Sequence, residues 1–262
     1  MSVAPDPSEI FDRAAEEGQR RLDQSPIELV STGFIAGFTV VFGIAALGIV
    51  HAVLEPRIGD AAKLPGALAF GLALVMLIVG RTELFNENFF APVAAAIETE
   101  DSWLVRPLLR LWIGTFVLNL VGGALIVFVM SVEGALPTGT GASLGTVAEE
   151  IVHRRPMGMF ADAIAGGALV ALLSHLLESV NSVVGRSAMA YIVGILLALG
   201  PFDHVVVTIL HVFFGMQFGA DVGVGALVTV TAVVTAGNVV GGLGLVTVSL
   251  IAQVSGDSGN SG

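Results

Sequence analysis

Long apolar segments separated by short polar ones make up most of the chain. Four of them are uninterrupted and run from about Leu29 to Leu54, Leu111 to Met130, Met157 to Leu177 and Val222 to Val254. Each is close to or above the ~20 residues that a helix needs to cross a bilayer. The pattern therefore predicts four continuous membrane-spanning helices, which are the first, third, fourth and sixth spans.

Two further apolar segments are broken by polar residues. The second span, near Leu64 to Ile97, is broken at residues 80–90 (GRTELFNENFF), and the fifth, near Ala188 to Gly219, is broken at residues 200–210 (GPFDHVVVTIL). Unpaired charge is costly at the bilayer centre, and non-helical backbone survives there only if it is buried in protein or lines a cavity. The two breaks therefore predict a substrate path through a membrane protein.

Two Asn-x-x-Gly-Gly motifs indicate an internal duplication. The first starts at Asn119, 33 residues after Asn86 in the first break, and the second starts at Asn238, 34 residues after His204 in the second break. Because each half would contain three spans, an odd number, the halves would lie in the membrane with opposite topology. The predicted fold class is an all-α membrane protein with six spans in two inverted three-span repeats. We expect Asn119 and Asn238 to form hydrogen bonds between packed helices.

The predicted organisation has three parts. Residues 1–27 form a polar segment of helical character, interpreted as a solvated cytoplasmic helix, with the membrane face as its alternative position. Residues 28–254 form the six-span channel domain, with repeats at about 28–132 and 157–254, and a Ser/Gly-rich tail at 255–262 is expected to be disordered. A long Gly- and Thr-rich loop is expected between the repeats. Six crossings place both termini on one side, and the distribution of basic residues favours the cytoplasm for a multi-pass protein of the cell membrane.

Composition excludes several classes of protein. Of the 262 residues, 55% are hydrophobic and only 13% are charged, whereas a soluble domain has about 25% charged residues. The absence of Cys excludes disulfides and thiolate metal sites, and neither a metal nor a cofactor is expected. With 11 basic and 22 acidic residues, the chain has no basic face for nucleic acid. The acidic, Lys-poor composition leads us to expect a halophilic microbe as the source.

Three groups of residues resemble the formate/nitrite transporter family. They are Glu83-Leu84-Phe85-Asn86 in the first break, Phe202-Asp203-His204 in the second, and Asn238-x-x-Gly241-Gly242 in the sixth span. The resemblance implies an aquaporin-like fold, a homopentamer with one pore in each protomer, and transport of a small monovalent anion across the lipid bilayer. It also implies a pore lined by residues of the two breaks, among them Leu84, Phe85, Phe202 and Asp203.

The chain also departs from the family pattern. Asn86 stands where the family usually has Thr, and Thr208 stands where Asn is common. Spacing from the first break places Phe70 and Leu74 where the family has narrow apolar constrictions. For the family's basic residue before the fourth span, the candidates are Arg154 and Arg155, which we interpret as an electropositive funnel for anions. The alternative is that both arginines pair with Glu149 and Glu150 in a solvated loop.

His204 carries the predicted chemistry. Imidazole titrates near neutral pH, so His204 can donate a proton to a weak-acid anion such as formate. The neutral acid then passes an apolar constriction at far lower cost than the ion, because ion desolvation dominates the barrier. Asn86 is expected to hydrogen-bond the anion opposite His204, and the alternative is that it only holds the loop open through local side-chain-to-backbone hydrogen bonds. Arg81, Glu83 and Glu87 are expected to pair among themselves and hold the shape of the first loop.

Two other histidines receive structural roles. We expect His175 to pair with Glu178 one helical turn away. His211 is expected to serve in helix packing, with the alternative that it lines the second half of the fifth span.

Three alternatives stand beside an anion channel or proton-coupled transporter. A neutral-solute channel of the same fold, for water or glycerol, is the principal one. An enzyme is not expected, because the chain lacks H-E-x-x-H and G-x-S-x-G motifs and its five His are scattered. A membrane assembly protein that moves no solute is the third.

Overall fold

The computed structural model describes residues 5–99 and 104–258, and these are helical without a β-strand. The α-helices are α1 Pro7–Leu22, α2 Pro26–Ile58, α3 Lys63–Val79, α4 Ala91–Glu98, α5 Val105–Met130, α6 Thr140–His153, α7 Pro156–Glu178, α8 Val183–Leu199, α9 Val205–Gln217, α10 Val224–Val239 and α11 Val248–Ser258. Short 3₁₀ helices occupy Gly59–Ala62 and Phe85–Asn88, and a π-helix, Val240–Thr247, joins α10 to α11.

Four helical stretches are long and apolar enough to cross a membrane. They are Pro26–Val79, which joins α2 to α3, Val105–Met130, Pro156–Glu178 and Val224–Val254. Two shorter apolar helices, α8 and α9, flank the second predicted break. The chain is therefore a helical membrane protein that crosses the bilayer several times.

Both predicted breaks are present. The first separates α3 from α4 and contains the 3₁₀ helix Phe85–Asn88, and the second separates α8 from α9. Helices α3 and α8 also approach each other closely. A Cβ on Gly194 of α8 would lie 2.9 Å from the Cα of Gly71 in α3. The absence of a side chain at these positions brings the two helices that precede the breaks into direct contact.

The expected solvated helix at the N-terminus is instead packed against the protein. In α1, Ile10, Phe11 and Ala14 are buried, and a Cβ on Gly18 would lie only 2.0 Å from the carbonyl oxygen of Ala91. This contact places α1 directly on α4. The interpretation as a solvated segment is therefore wrong for α1, because its apolar face covers the second half of the broken span.

Two other expectations about irregular segments are corrected. The predicted loop between the repeats contains α6, whose Leu144 and Ala148 are fully buried. Its Gly- and Thr-rich sequence has weak helix propensity, which packing against α9 and α2 overrides. The tail expected to be disordered continues α11 as far as Ser258, and the last four residues lie outside the described part of the chain.

Candidate functional site

A buried asparagine side chain holds the first break. The backbone N–H of Phe85 donates to Asn119 Oδ1 at 3.0 Å, and Asn119 Nδ2 donates to the carbonyl oxygens of Glu83 at 3.0 Å and Gly33 at 2.8 Å. Non-helical backbone groups in a membrane need such partners. Asn119 thus satisfies the polar groups on both sides of Leu84 and ties the break to α2.

A second asparagine repeats this arrangement in the second break. The N–H of Val205 donates to Asn238 Oδ1 at 2.8 Å, and Asn238 Nδ2 donates to the carbonyl oxygens of Asp203 and Ala163, both at 2.7 Å. Leu84 and His204 therefore occupy matching positions, each between two residues whose backbone is held by an asparagine. The expected helix–helix bonds are present, and the same side chains also fix the breaks.

Asn86 connects the two breaks. It is fully buried, and its Nδ2 donates to Asn238 Oδ1 at 2.7 Å. Asn86 does not line the cavity that contains His204. The side-chain donor that we expected to face an anion opposite His204 donates to Asn238 in this structure.

His204 faces a cavity of about 260 Å³. It is the residue before α9, is 2% exposed, and neither ring nitrogen has a hydrogen-bond partner among the described residues. Four other predicted pore residues line the same cavity: Phe70, Phe202, Asp203 and Thr208. An unpaired imidazole beside an open volume is free to exchange a proton with a small molecule or with water.

Arg154 also lines this cavity, but it is paired. Its guanidinium contacts Asp203 at 2.8 Å and Asp162 at 3.2 Å. The alternative pairing with Glu149 or Glu150 is not seen for Arg154, whose carboxylate partners among the described residues are Asp203 and Asp162. Arg155 is exposed and stands just before α7, outside the lining of the cavity.

The charges around this cavity differ from the predicted electropositive funnel. The cations that line it are Lys63 and Arg154, whereas the carboxylates are Glu55, Asp60, Glu150 and Asp203. Carboxylates outnumber cations at this end of the path. The prediction of an anion-attracting field from Arg154 and Arg155 is thus not supported by the charges that line it.

A second cavity, of about 420 Å³, lies at the opposite end of α3 and α8. Lys63 and Gly66 of α3 line the His204 cavity, whereas Ile78 and Val79 line this one. Leu74, from the middle of α3, is 2% exposed and lines neither cavity. Along α3, a buried apolar residue thus lies between the residues that line the two cavities, where a constriction was expected.

Two further predicted pore residues lie within the packed core. Leu84 is 2% exposed, and the ring of Phe85 packs edge-on against Phe89 and Phe116, with centroids 5.0 and 5.2 Å apart. Neither side chain lines one of the two cavities.

The carboxylates of the first break find partners other than one another. Glu83 accepts hydrogen bonds from Arg20 Nη2 of α1 at 3.2 Å and from Gln24 Nε2 at 2.5 Å. Glu87 accepts the backbone N–H of Leu84 at 3.4 Å. Arg81 is exposed and has a positive φ of 51°. The predicted mutual pairing of Arg81, Glu83 and Glu87 is therefore wrong, because Glu83 pairs with residues before the first span and Glu87 with the backbone of its own loop.

Arg21 and Glu17 complete this link between α1 and the first break. Arg21 Nη1 donates to Asn88 Oδ1 at 3.0 Å and to the Glu87 carbonyl oxygen at 3.2 Å, while its Nε contacts Glu17 at 2.9 Å. Burial raises the pKa of Glu17, but the hydrogen bonds and charges of Arg20 and Arg21 outweigh burial and lower it to about 2.

His175 differs from its predicted role, whereas His211 takes the alternative position expected for it. His175 does not pair with Glu178; its ring packs edge-on against Phe90 at 5.4 Å, and Glu178 faces Arg186 at 3.6 Å. His211 lines the same cavity as His204. The sequence signal was available, since positions 204, 208 and 211 share one helical face. Among the described residues, no group of three or more His, Asp or Glu could hold a metal ion.

Comparison with known proteins agrees with this architecture. The Formate/nitrite transporter family model matches residues 8–252. The chain belongs to this family. The family predicted from the motifs in the two breaks is thus confirmed, and it is a family of transporters rather than of enzymes.

Relatives and solved structures of this family match over different lengths. The inner membrane protein YfdC of Escherichia coli K12 is 23% identical over 96% of this chain and 80% of its own length. The uncharacterized transporter YwcJ of Bacillus subtilis 168 is 29% identical over 42% of each chain. Among solved structures, an FNT family ion channel superposes with a TM-score of 0.82 at 18% identity, over 94% of this chain and 99% of its own. A pentameric formate channel with formate bound gives 0.63 at 19%, over 83% and 94%.

Proposed function

We propose that this family member is a channel or transporter for small monovalent weak-acid anions and that His204 donates a proton to the anion. The observation that carries the proposal is the position of His204, which lines a cavity and whose ring nitrogens have no hydrogen-bond partner among the described residues. The pentameric formate channel with a similar fold adds support for the class of substrate.

The proton transfer explains how an anion crosses the apolar segment. A charged group pays a large desolvation penalty in an apolar environment, whereas the neutral acid does not. In the proposed step, protonated His204 transfers a proton from a ring nitrogen to an oxygen of the anion and becomes neutral imidazole. The acid then passes Phe70 and Leu74 and loses the proton in the second cavity.

The proposed architecture comprises six spans in two inverted repeats. The matched hydrogen bonds of Asn119 and Asn238 support it, because each side chain holds the residues on either side of one break and one carbonyl of the helix that opens its half. We also propose a homopentamer in the lipid bilayer of the cell membrane, with both termini in the cytoplasm. The excess of acidic over basic residues further supports a halophilic source.

Flux measurements in proteoliposomes test the substrate class. The purified protein is reconstituted and given gradients of formate, nitrite, acetate or hydrosulfide, with internal pH followed by a trapped dye. Anion-dependent alkalinisation of the side that loses the acid is expected. Glycerol or water permeability without any response to the weak acids would instead support the neutral-solute channel.

A further inference from the structure

Three imidazoles line the cavity that leads to the proposed proton donor. His204 stands at the start of α9, His211 lies seven residues later on the same helical face, and His51 comes from α2. Seven residues correspond to about 10 Å along a helix axis. Thr208 lies between the two α9 histidines and lines the cavity too. The imidazoles are therefore spread along the cavity and are not gathered at one point.

The unpaired ring atoms are suited to proton exchange. His211 is 7% exposed and its Nε2 has no hydrogen-bond partner among the described residues, as is true of both ring nitrogens of His204. A buried polar atom normally has a partner, and water supplies it where the site is polar and large enough. The cavity, at about 260 Å³, has room for several waters. Water can therefore bridge His211 to His204.

His51 lies toward the exposed end of the cavity, which we call its mouth: it is more exposed than His204 and His211 and stands beside the exposed Glu55. Its Nδ1 is 3.2 Å from Ser143 Oγ and 3.6 Å from Glu55 Oε2, and it lines the same cavity as His211. His51 is thus placed to take a proton from the acidic mouth and pass it inward.

The charged surroundings of His211 favour collection of protons. Besides the two other histidines, the titratable or charged side chains that line the cavity are Glu55, Asp60, Lys63, Glu150, Arg154 and Asp203. The neighbouring helix α10 has no titratable side chain, and in α5 the titratable residues, Arg106 and Arg110, lie at its other end, where Arg110 bonds to Leu22. Carboxylates predominate at this mouth, which attracts protons more readily than anions.

We propose that His51 and His211 form a proton relay that reprotonates His204 from the cavity mouth. The inference rests on the proposed function of His204 and adds the route of its proton. After His204 has given a proton to the anion, His211 donates one through water to the neutral imidazole. His51 replaces the proton on His211 and takes another from the mouth. Each acid molecule carried thus consumes one proton from that side.

Proteoliposomes with saturating formate provide the test. The wild type is compared with His211→Gln and His51→Gln at about pH 5.5 and about pH 8, since bulk protons reach His204 unaided only when they are abundant. His175→Gln is the matched control, because His175 is a partly buried histidine outside the cavity. Each measurement is repeated with imidazole in the buffer as a diffusible proton carrier. Size-exclusion chromatography checks folding, and His51→Gln keeps the test valid if His211→Gln does not fold.

The relay predicts a loss of flux that depends on pH. At about pH 8, each relay variant should lose at least about tenfold in flux, as expected when a positioned proton donor is removed. The loss should be small at about pH 5.5 and should be reversed by imidazole, while His175→Gln matches the wild type. Relay variants with the wild-type pH profile, or with an equal loss at both pH values that imidazole does not reverse, would overturn the relay. If the wild type moved no weak acid, the proposed function itself would fail.

Discussion

The side-chain amide of Asn86 donates a hydrogen bond of 2.7 Å to Asn238 Oδ1 and thereby joins the two breaks of the membrane helices. The same oxygen accepts the backbone N–H of Val205, the residue after His204, at 2.8 Å. The first break is therefore connected to the residue that carries the proposed chemistry through a single carbonyl oxygen. Asn86 thus contributes to the position of His204 without lining its cavity.

Replacing Asn86 with Thr distinguishes a positioning role from a substrate ligand. The shorter Thr hydroxyl would not reach Asn238 as the longer Asn amide does, so Asn238 Oδ1 loses one of its two hydrogen bonds, at a cost of about 0.5–1.5 kcal/mol. We expect a lower thermal unfolding temperature for Asn86→Thr and unchanged selectivity among formate, nitrite and acetate. Wild-type stability with altered selectivity would show instead that Asn86 binds the anion.

Asn119 and Asn238 clamp the two breaks through their hydrogen bonds, so replacing either should be among the most destabilising substitutions in the chain. Asn119→Ala or Asn238→Ala leaves one backbone N–H and two carbonyl oxygens without a side-chain partner, and each unsatisfied buried group costs about 1–3 kcal/mol. Thermal unfolding in detergent should show a large loss of stability in both variants. Thr229→Ala is the control, since Thr229 is exposed and bonds only within its own helix. If both asparagine variants unfolded at the control temperature, the clamp would not stabilise the breaks.

The breaks and their asparagines could be predicted because backbone polar groups without hydrogen-bond partners are costly inside a bilayer, so an interruption of a membrane helix needs polar residues that stand out in the sequence. Glu83, Asn86 and His204 stand out in apolar surroundings, and the spacing to Asn119 and Asn238 relates the two halves. Partners that are distant in the sequence could not be predicted. The partner of Glu83 is Arg20 in α1 rather than a neighbour in the loop, and nothing in the local pattern shows which helix covers the break.

Acid should weaken the attachment of α1. Glu17 has a folded-state pKa lowered to about 2 from an ordinary value of 4.5, so its contribution to stability is complete above about pH 4.5 and is lost as pH falls toward 2. Glu17→Gln should have a lower unfolding temperature than the wild type at neutral pH. Between about pH 4.5 and pH 2, its unfolding temperature should fall less than that of the wild type, because it has no Glu17 carboxylate to protonate. Unfolding temperatures measured across these pH values check the prediction. Identical pH dependence in both proteins would contradict it.

The most direct test of the account is weak-acid flux through His204→Ala in proteoliposomes. His153→Ala serves as the control, because His153 is exposed and lies outside the cavity. The account predicts that His204→Ala keeps the oligomeric state of the wild type but loses most formate-driven proton movement, while His153→Ala retains it. Formate flux through His204→Ala at the wild-type rate and with the wild-type pH dependence would contradict the role of His204 as proton donor.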